Sequence, residues 1–199
     1  VCAAENGRLE PVVARAFAFV GPGLPLDAHF AIGNFIRDAL AGRDIVVSGD
    51  GTPLRSYLYA GDLAAWLLTL LAQGAPRAAY NVGSDEAVSI ADLAHRVAAL
   101  SPRKVGVEIK GKAAPGAPRA RYVPSIAPAR KLGLGVRTPL DEAIRRTMRY
   151  AAQPKPEQAA DAPAHRNEHG EGKALTFVID VDGVVASLTP GNDYNLAEP

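Results

Sequence analysis

Two groups of residues in this chain have the types and spacing for chemistry on charged groups. The first is at the C-terminal end, where an apolar run leads into "FVIDVDGVV" and delivers Asp180 and Asp182 one residue apart, with Gly183 next. The second is basic. Arg55 leaves a glycine-rich turn, Asn81 and Gly83 stand at the end of an apolar segment, and Arg119 and Arg121 close a loop that also holds Lys110 and Lys112. Between Arg103 and Arg121 there are six basic residues and one acid, Glu108. Arginine forks pair bidentately with phosphate oxygens, and an asparagine amide serves ribose or phosphate. The plain alternative is a set of solvated loop charges, and spacing alone does not separate the two.

The elements that must position these residues are read from periodicity and punctuation. Pro11 to Phe19 reads as one buried strand that ends at Gly21-Pro22-Gly23. Asp27 is a cap for a helix from Ala28 to about Ala41, stopped by Gly42. Ile45–Val47 and 55–59 read as strands around the turn 48–52, and Asp62 starts the apolar helix of Trp66. Residues 79–82 form another strand. Ser89 with Asp92 predicts a capping box. Val105 to Ile109 alternates as a strand does, and 125–132 reads as a short helix ended by Gly133. Thr138-Pro139-Leu140-Asp141 is a helix start, and Leu140, Ala143, Ile144, Thr147, Met148 and Ala151 form its apolar face.

Residues 153–173 contain no Val, Ile, Leu, Met, Phe, Trp or Tyr, so they read as a flexible linker. The expected organisation is an α/β unit over 1–152, the linker, and a short segment over 174–199. His165 and His169 lie in the linker without the H-E-x-x-H order of a metal helix. His29 and His95 read as packing or surface residues.

The 199 residues are 48% hydrophobic and 22% charged with a net charge of +1, which gives no global field for nucleic acid or a membrane surface. The single cysteine excludes an intrachain disulfide and fits a reducing cytoplasm. The longest apolar run, near Leu63 to Ala72, is about half a membrane span and reads as a buried helix.

Four blocks in order, "VVARAFAFVGPG", "GNFIRDALAGRDIVVSGDGTPLRSYLYAGDLA", "AYNVGS" and "LGLGVRTPLDEAIRRTMRYA", resemble the C-terminal, substrate-binding half of an extended short-chain dehydrogenase/reductase of the NAD-dependent epimerase/dehydratase type. The resemblance implies the later part of a Rossmann-like NAD(P)-binding fold. It also implies a nucleotide-sugar substrate, a place in surface polysaccharide sugar synthesis, and a homodimer for the full-length form. It places Arg55 and Arg121, with Arg119 beside them, on the pyrophosphate, Asn81 in the nucleotide pocket, and Phe17, Ala18 and Phe19 along the nicotinamide and sugar. Ala18 and Val20 stand where many members carry asparagine and tyrosine, so a polar sugar contact comes from elsewhere or is missing. The family's acid/base tyrosine has a lysine four residues later. Here the residues four places after the six tyrosines are Gly61, Leu63, Ser84, Ile126, Pro154 and Glu198, and no G-x-x-G-x-x-G fingerprint is present. The expectation is a piece of a longer protein that binds NAD poorly by itself and turns nothing over. A 4-ketoreductase is the alternative within the class. A non-catalytic module that holds a nucleotide-sugar or a partner is the alternative outside it.

"LTFVIDVDGVV" resembles the first motif of haloacid dehalogenase-like phosphatases. The resemblance implies Asp180 as nucleophile and Asp182 as acid/base, both holding Mg²⁺, because alternate residues of a strand converge on one metal and one phosphate. The lysine and further acids that this chemistry needs do not follow in the chain, and the segment is expected to be disordered or docked on its neighbour.

Overall fold

The computed structural model describes residues 11–28, 30–113, 116 and 119–153, together with the backbone of Ile179 and Asp180. Parallel pairing joins β1 (Val13–Ala16) to β6 (Ala79–Val82), with Val13 opposite Ala79 and Ala16 opposite Val82. The other edge of β1 pairs in parallel with β10 (Ile179–Asp180), Ala14 opposite Ile179 and Arg15 opposite Asp180. The expected strand Pro11 to Phe19 is therefore broken. Its second piece, β2 (Phe19–Val20), pairs with β5 (Leu58–Tyr59) in a different sheet. The expected strand 55–59 breaks in the same way. Its first part, β4 (Leu54–Arg55), is the centre of a three-stranded sheet between β7 (Val88–Ser89), antiparallel, and β9 (Arg121–Tyr122), parallel. β3 (Ile45–Val47) pairs with β8 (Val107–Ile109).

Two apolar clusters follow from this division. The first is built from α1 (Ala31–Ala41), β3, α3 (Ile90–Leu100) and α5 (Leu140–Ala151) around Ile36, Ile45, Leu93, Val97 and Ile144, all fully buried. The second surrounds Trp66 of α2 (Ala60–Gln73) and takes Ala14, Leu58, Tyr80 and Val82 from the strands. Ile126 and Ala129 join it, Ala129 from the short α4 (Ala127–Arg130). The Trp66 indole N–H donates to the Gly135 carbonyl at 3.2 Å, so the ring fills the core while its polar end is paired. No helix among the described residues is long and apolar enough to cross a membrane.

Helix ends show which local signals ruled. Gly42 ends α1 at φ 73, where its N–H and that of Arg43 reach back to Ala39 and Asp38. The left-handed conformation there is open to glycine without a Cβ penalty. The Ser89 hydroxyl accepts from the Asp92 N–H at 3.0 Å and donates to its carboxylate at 2.7 Å, the expected cap in a compact form. Asp27 does not cap α1, which starts three residues later than expected with Phe30 at its N-cap. Thr138 does not cap α5 either. The helix begins at Leu140 after Pro139, because the Thr138 hydroxyl is spent on Asp62.

Asp62 is the joint between α2 and α5. It is 7% exposed and sits in the first turn of α2, where sequence alone gives it only a dipole role. Its carboxylate accepts from the Arg137 and Thr138 backbone N–H groups, both at 2.9 Å, and from the Thr138 hydroxyl at 3.0 Å. A buried carboxylate is tolerated only with such donors. Of the expected apolar face of α5, Leu140, Ala143, Ile144, Thr147 and Met148 are buried, while Ala151 is exposed at the helix end.

Candidate functional site

The strand β4 sets two of the basic residues on adjacent strands, one register position apart. Leu54 is opposite Arg121, and Arg55 is opposite Tyr122, so the two arginines stand on neighbouring strands. Arg55 is half-buried and its guanidinium donates to the Leu54 carbonyl at 2.9 Å, which holds the side chain against its own strand. Arg119 and Arg121 are exposed. Arg119 lies near enough to Asp50 to act on its charge. The Asp50 carboxyl is held below its ordinary value first by hydrogen bonds from the Thr52 N–H and hydroxyl, with Arg119 adding to them.

Asn81 has a structural duty. Its amide donates to the Ser125 carbonyl at 2.9 Å and ties the end of β6 to the turn after β9. Phe17, just past β1, meets the Tyr122 ring at 4.8 Å between centroids, with the planes tilted by 34°. Gly83, just past β6, permits this closure, because a Cβ there would lie 3.0 Å from both Phe17 Cβ and Pro124 Cγ. Phe17, Gly83 and Tyr122 thus close one site at the ends of two parallel strands, the usual ligand side of an open α/β sheet. Ala18 and Phe19 are half-buried and pack on the first and second apolar clusters, respectively. Of the three residues expected on the cofactor, Phe17 is the one that stands at the strand ends.

A groove of about 560 Å³ was not legible in the sequence. Asn34, Phe35, Arg37 and Asp38 of α1 form one wall, and Val46 to Gly51 with Pro53 form the other. Arg37 donates to Asn34 at 3.2 Å and to Asp38 at 3.1 Å. Burial would raise the Asp38 carboxyl, but the Arg37 and Arg43 guanidinia outweigh it and hold the group below its ordinary value. The groove mouth at Pro53 leads within two residues to Arg55. The one signal for it in the sequence was polar residues at i, i+3 and i+4 of an otherwise apolar helix, a pattern that solvent-facing residues share.

Among the described residues no group of three or more His, Cys, Asp or Glu side chains could hold a metal ion. Asp182, His29, His165 and His169 lie outside the described residues, and only the backbone of Asp180 is within them. His95 is exposed on α3.

Residues 1–83 match the sequence profile of the NAD dependent epimerase/dehydratase family. This stretch is similar to part of an NAD-dependent epimerase/dehydratase domain. UDP-glucuronic acid decarboxylase 6 of Arabidopsis thaliana is 33% identical over 125 residues, which are 62% of this chain and 35% of that protein. The chain thus spans about a third of the length of the curated relatives it matches. The Bordetella bronchiseptica enzyme WbmF, solved with NAD+ and UDP, superposes with a TM-score of 0.61 at 26% identity, over 72% of this chain and 46% of that one. UDP-glucose 4-epimerase of Thermotoga maritima, with UDP-glucose, has a TM-score of 0.63 at 22% identity over 75% and 48% of the two chains, which shows a shared fold. The described α/β fold is thus the Rossmann-like fold that the resemblance implied. The comparisons give no support to the phosphatase-like reading of residues 174–199.

Proposed function

We propose that this chain is the nucleotide-sugar-binding part of an NAD-dependent epimerase/dehydratase and holds the nucleoside diphosphate end of the substrate. The observation that carries the reading is the pairing of β4 with β9, which sets Arg55 and Arg121 one register position apart on neighbouring strands, two residues beyond Pro53 of the groove wall, so that their long side chains would reach the diphosphate from the two faces of the strand pair. The two guanidinia neutralise the diphosphate, with Arg119 as an outer charge. The α1 wall and Val46–Ser48 enclose the base and ribose. Phe17 and Tyr122 wall the strand ends where the sugar and nicotinamide meet. NAD supplies hydride acceptance and return when bound, and this chain's residues orient the sugar toward it and exclude water. The occurrence of UDP in WbmF, a structural neighbour, supports the choice of nucleotide.

For residues 174–199 we keep the D-x-D-G motif as a proposal. Asp180 as nucleophile, Asp182 as acid/base and Mg²⁺ as their ion rest on the motif alone, with 153–173 as the linker. The surface polysaccharide setting and a homodimer rest on the resemblance alone.

Calorimetric titration of the chain with UDP tests the reading. Binding is expected, and Arg55→Ala or Arg121→Ala is expected to weaken it about tenfold or more, the usual loss for a charge-assisted phosphate contact. Equal affinity in wild type and both variants would exclude the arginine pair as the phosphate site. The 4-ketoreductase reading shares this pocket and is separated from epimerase or dehydratase only by product analysis. UDP binding by the chain without turnover in any assembly would favour the non-catalytic module.

A further inference from the structure

The groove beside α1 follows one face of that helix, where Ala31, Asn34, Phe35 and Asp38 recur at i, i+3, i+4 and i+7. Val46, 38% exposed, gives the opposite wall an apolar surface. The polar groups in the groove differ in what they have left to offer. Asp38 accepts from Arg37 at both oxygens, at 3.1 and 3.3 Å, and from Arg43 as well. Asp50 is held by the Thr52 N–H and hydroxyl. The Ser48 hydroxyl donates or accepts with equal ease. Asn34 is half-buried, and its Oδ1 accepts from the Arg37 guanidinium at 3.2 Å. Arginine has donors only, so the end of the amide that faces it is the oxygen, and the NH2 end is turned away. Among the described residues that NH2 group has no hydrogen-bond partner.

We propose that Asn34 selects the base: its NH2 end takes a pyrimidine that presents a carbonyl oxygen, as uracil does, and rejects one that presents an amino group there, as cytosine does. The inference rests on the reading that this groove takes the nucleoside of a diphosphate. The two pyrimidines have nearly the same shape, so an apolar wall such as Val46 does not tell them apart, and a fixed donor does. An amino group set against the Asn34 NH2 leaves two donors without an acceptor, and sites built on a hydrogen bond reject such a mismatch strongly. Arg37 is the positioning residue. An unrestrained amide turns over and offers its oxygen to cytosine, whereas a guanidinium at the oxygen end keeps the donor toward the ligand.

The test is calorimetric titration of the full chain with UDP and with CDP, read as the ratio of the two affinities. Wild type is expected to favour UDP about tenfold or more. Asn34→Asp keeps an acceptor for Arg37 and presents a second acceptor to the base, so the preference is expected to reverse toward CDP. Its added charge weakens both nucleotides alike and drops out of the ratio. Arg37→Met leaves Asn34 in place and frees its amide to turn, so the ratio is expected to fall toward one, which a residue that only shaped the groove would not cause. If Asn34→Asp binds neither nucleotide, Arg37→Met decides. A wild-type ratio within about twofold, or a ratio that the readable variants leave unchanged, would overturn the base assignment. If Arg55→Ala still weakens both nucleotides in that case, the proposed function stands without it. Binding of neither nucleotide to wild type would overturn both.

Discussion

At the scale of single residues, the site is a matter of which charges have been spent. Arg37 and Arg43 are committed to Asp38, and Arg146 lies over the Tyr59 ring at 5.2 Å while it pairs with Glu142 at 2.8 Å. Arg121 is exposed on β9, and the hydrogen bond of the Arg55 guanidinium among the described residues is to a backbone carbonyl, so under the proposed function both are open to a phosphate. Asp38 gives a pH prediction. Its folded pKa is depressed, so the stability it contributes is present above its unfolded value near 3.9 and is lost as pH falls through the lower folded value. Asp38→Asn is expected to cost about 1 kcal/mol at pH 7, and the gap to wild type in urea midpoint should close on acidification toward pH 3. A gap independent of pH would assign the loss to packing.

The residue scale is also where sequence reading stopped short. It found Arg55, Arg119 and Arg121 by type. It did not show that one N–H of the Asn81 amide is held by the Ser125 carbonyl, 44 residues away in the chain. Asp62 was read as a helix-start acid because its three donors come from Arg137 and Thr138, a contact that no local pattern announces.

At the scale of elements, periodicity located the helices and missed the strand breaks. Pro11 to Phe19 is apolar except for Arg15 and carries no break signal, but the chain changes sheets between Ala16 and Phe19, and the cause is tertiary. β1 is bound to β6 whereas β2 is bound to β5, and the kink between them presents Phe17 to Tyr122. The break at Ser56-Tyr57 does the same for Arg55. Two predictions belong here. Asp62→Ala is expected to destabilise the fold by about 1–3 kcal/mol, because it removes the acceptor of the Arg137 and Thr138 N–H groups that join α2 to α5. An unchanged urea midpoint would show that water replaces the carboxylate. Tyr57, pushed up to about 12 by burial with Arg55 opposing, contributes stability that is complete below pH 10 and lost as pH rises through about 12. Tyr57→Phe is expected to remove that alkaline loss, as measured by denaturant unfolding between pH 9 and 12. Identical alkaline profiles would place the titration elsewhere.

At the scale of the molecule, the two apolar clusters meet along Tyr57 to Tyr59, and the groove lies on the side of the first cluster, between α1 and the loop after β3. The α/β class and the order of elements were legible because helix and strand periods alternate cleanly from Pro11 to Ala152. The groove was not, because it is the space between α1 and the loop after β3, and such a space has no sequence signature. Under the proposed function, this groove and the β4–β9 pair take a nucleoside diphosphate. Chemical-shift mapping of the isotope-labelled chain titrated with UDP tests it most directly. The predicted result is a contiguous set of shifts at Phe35, Val47, Gly51, Arg55 and Arg121, saturating with one affinity. Shifts scattered over α2 and α4, or none at the β4–β9 pair, would contradict it.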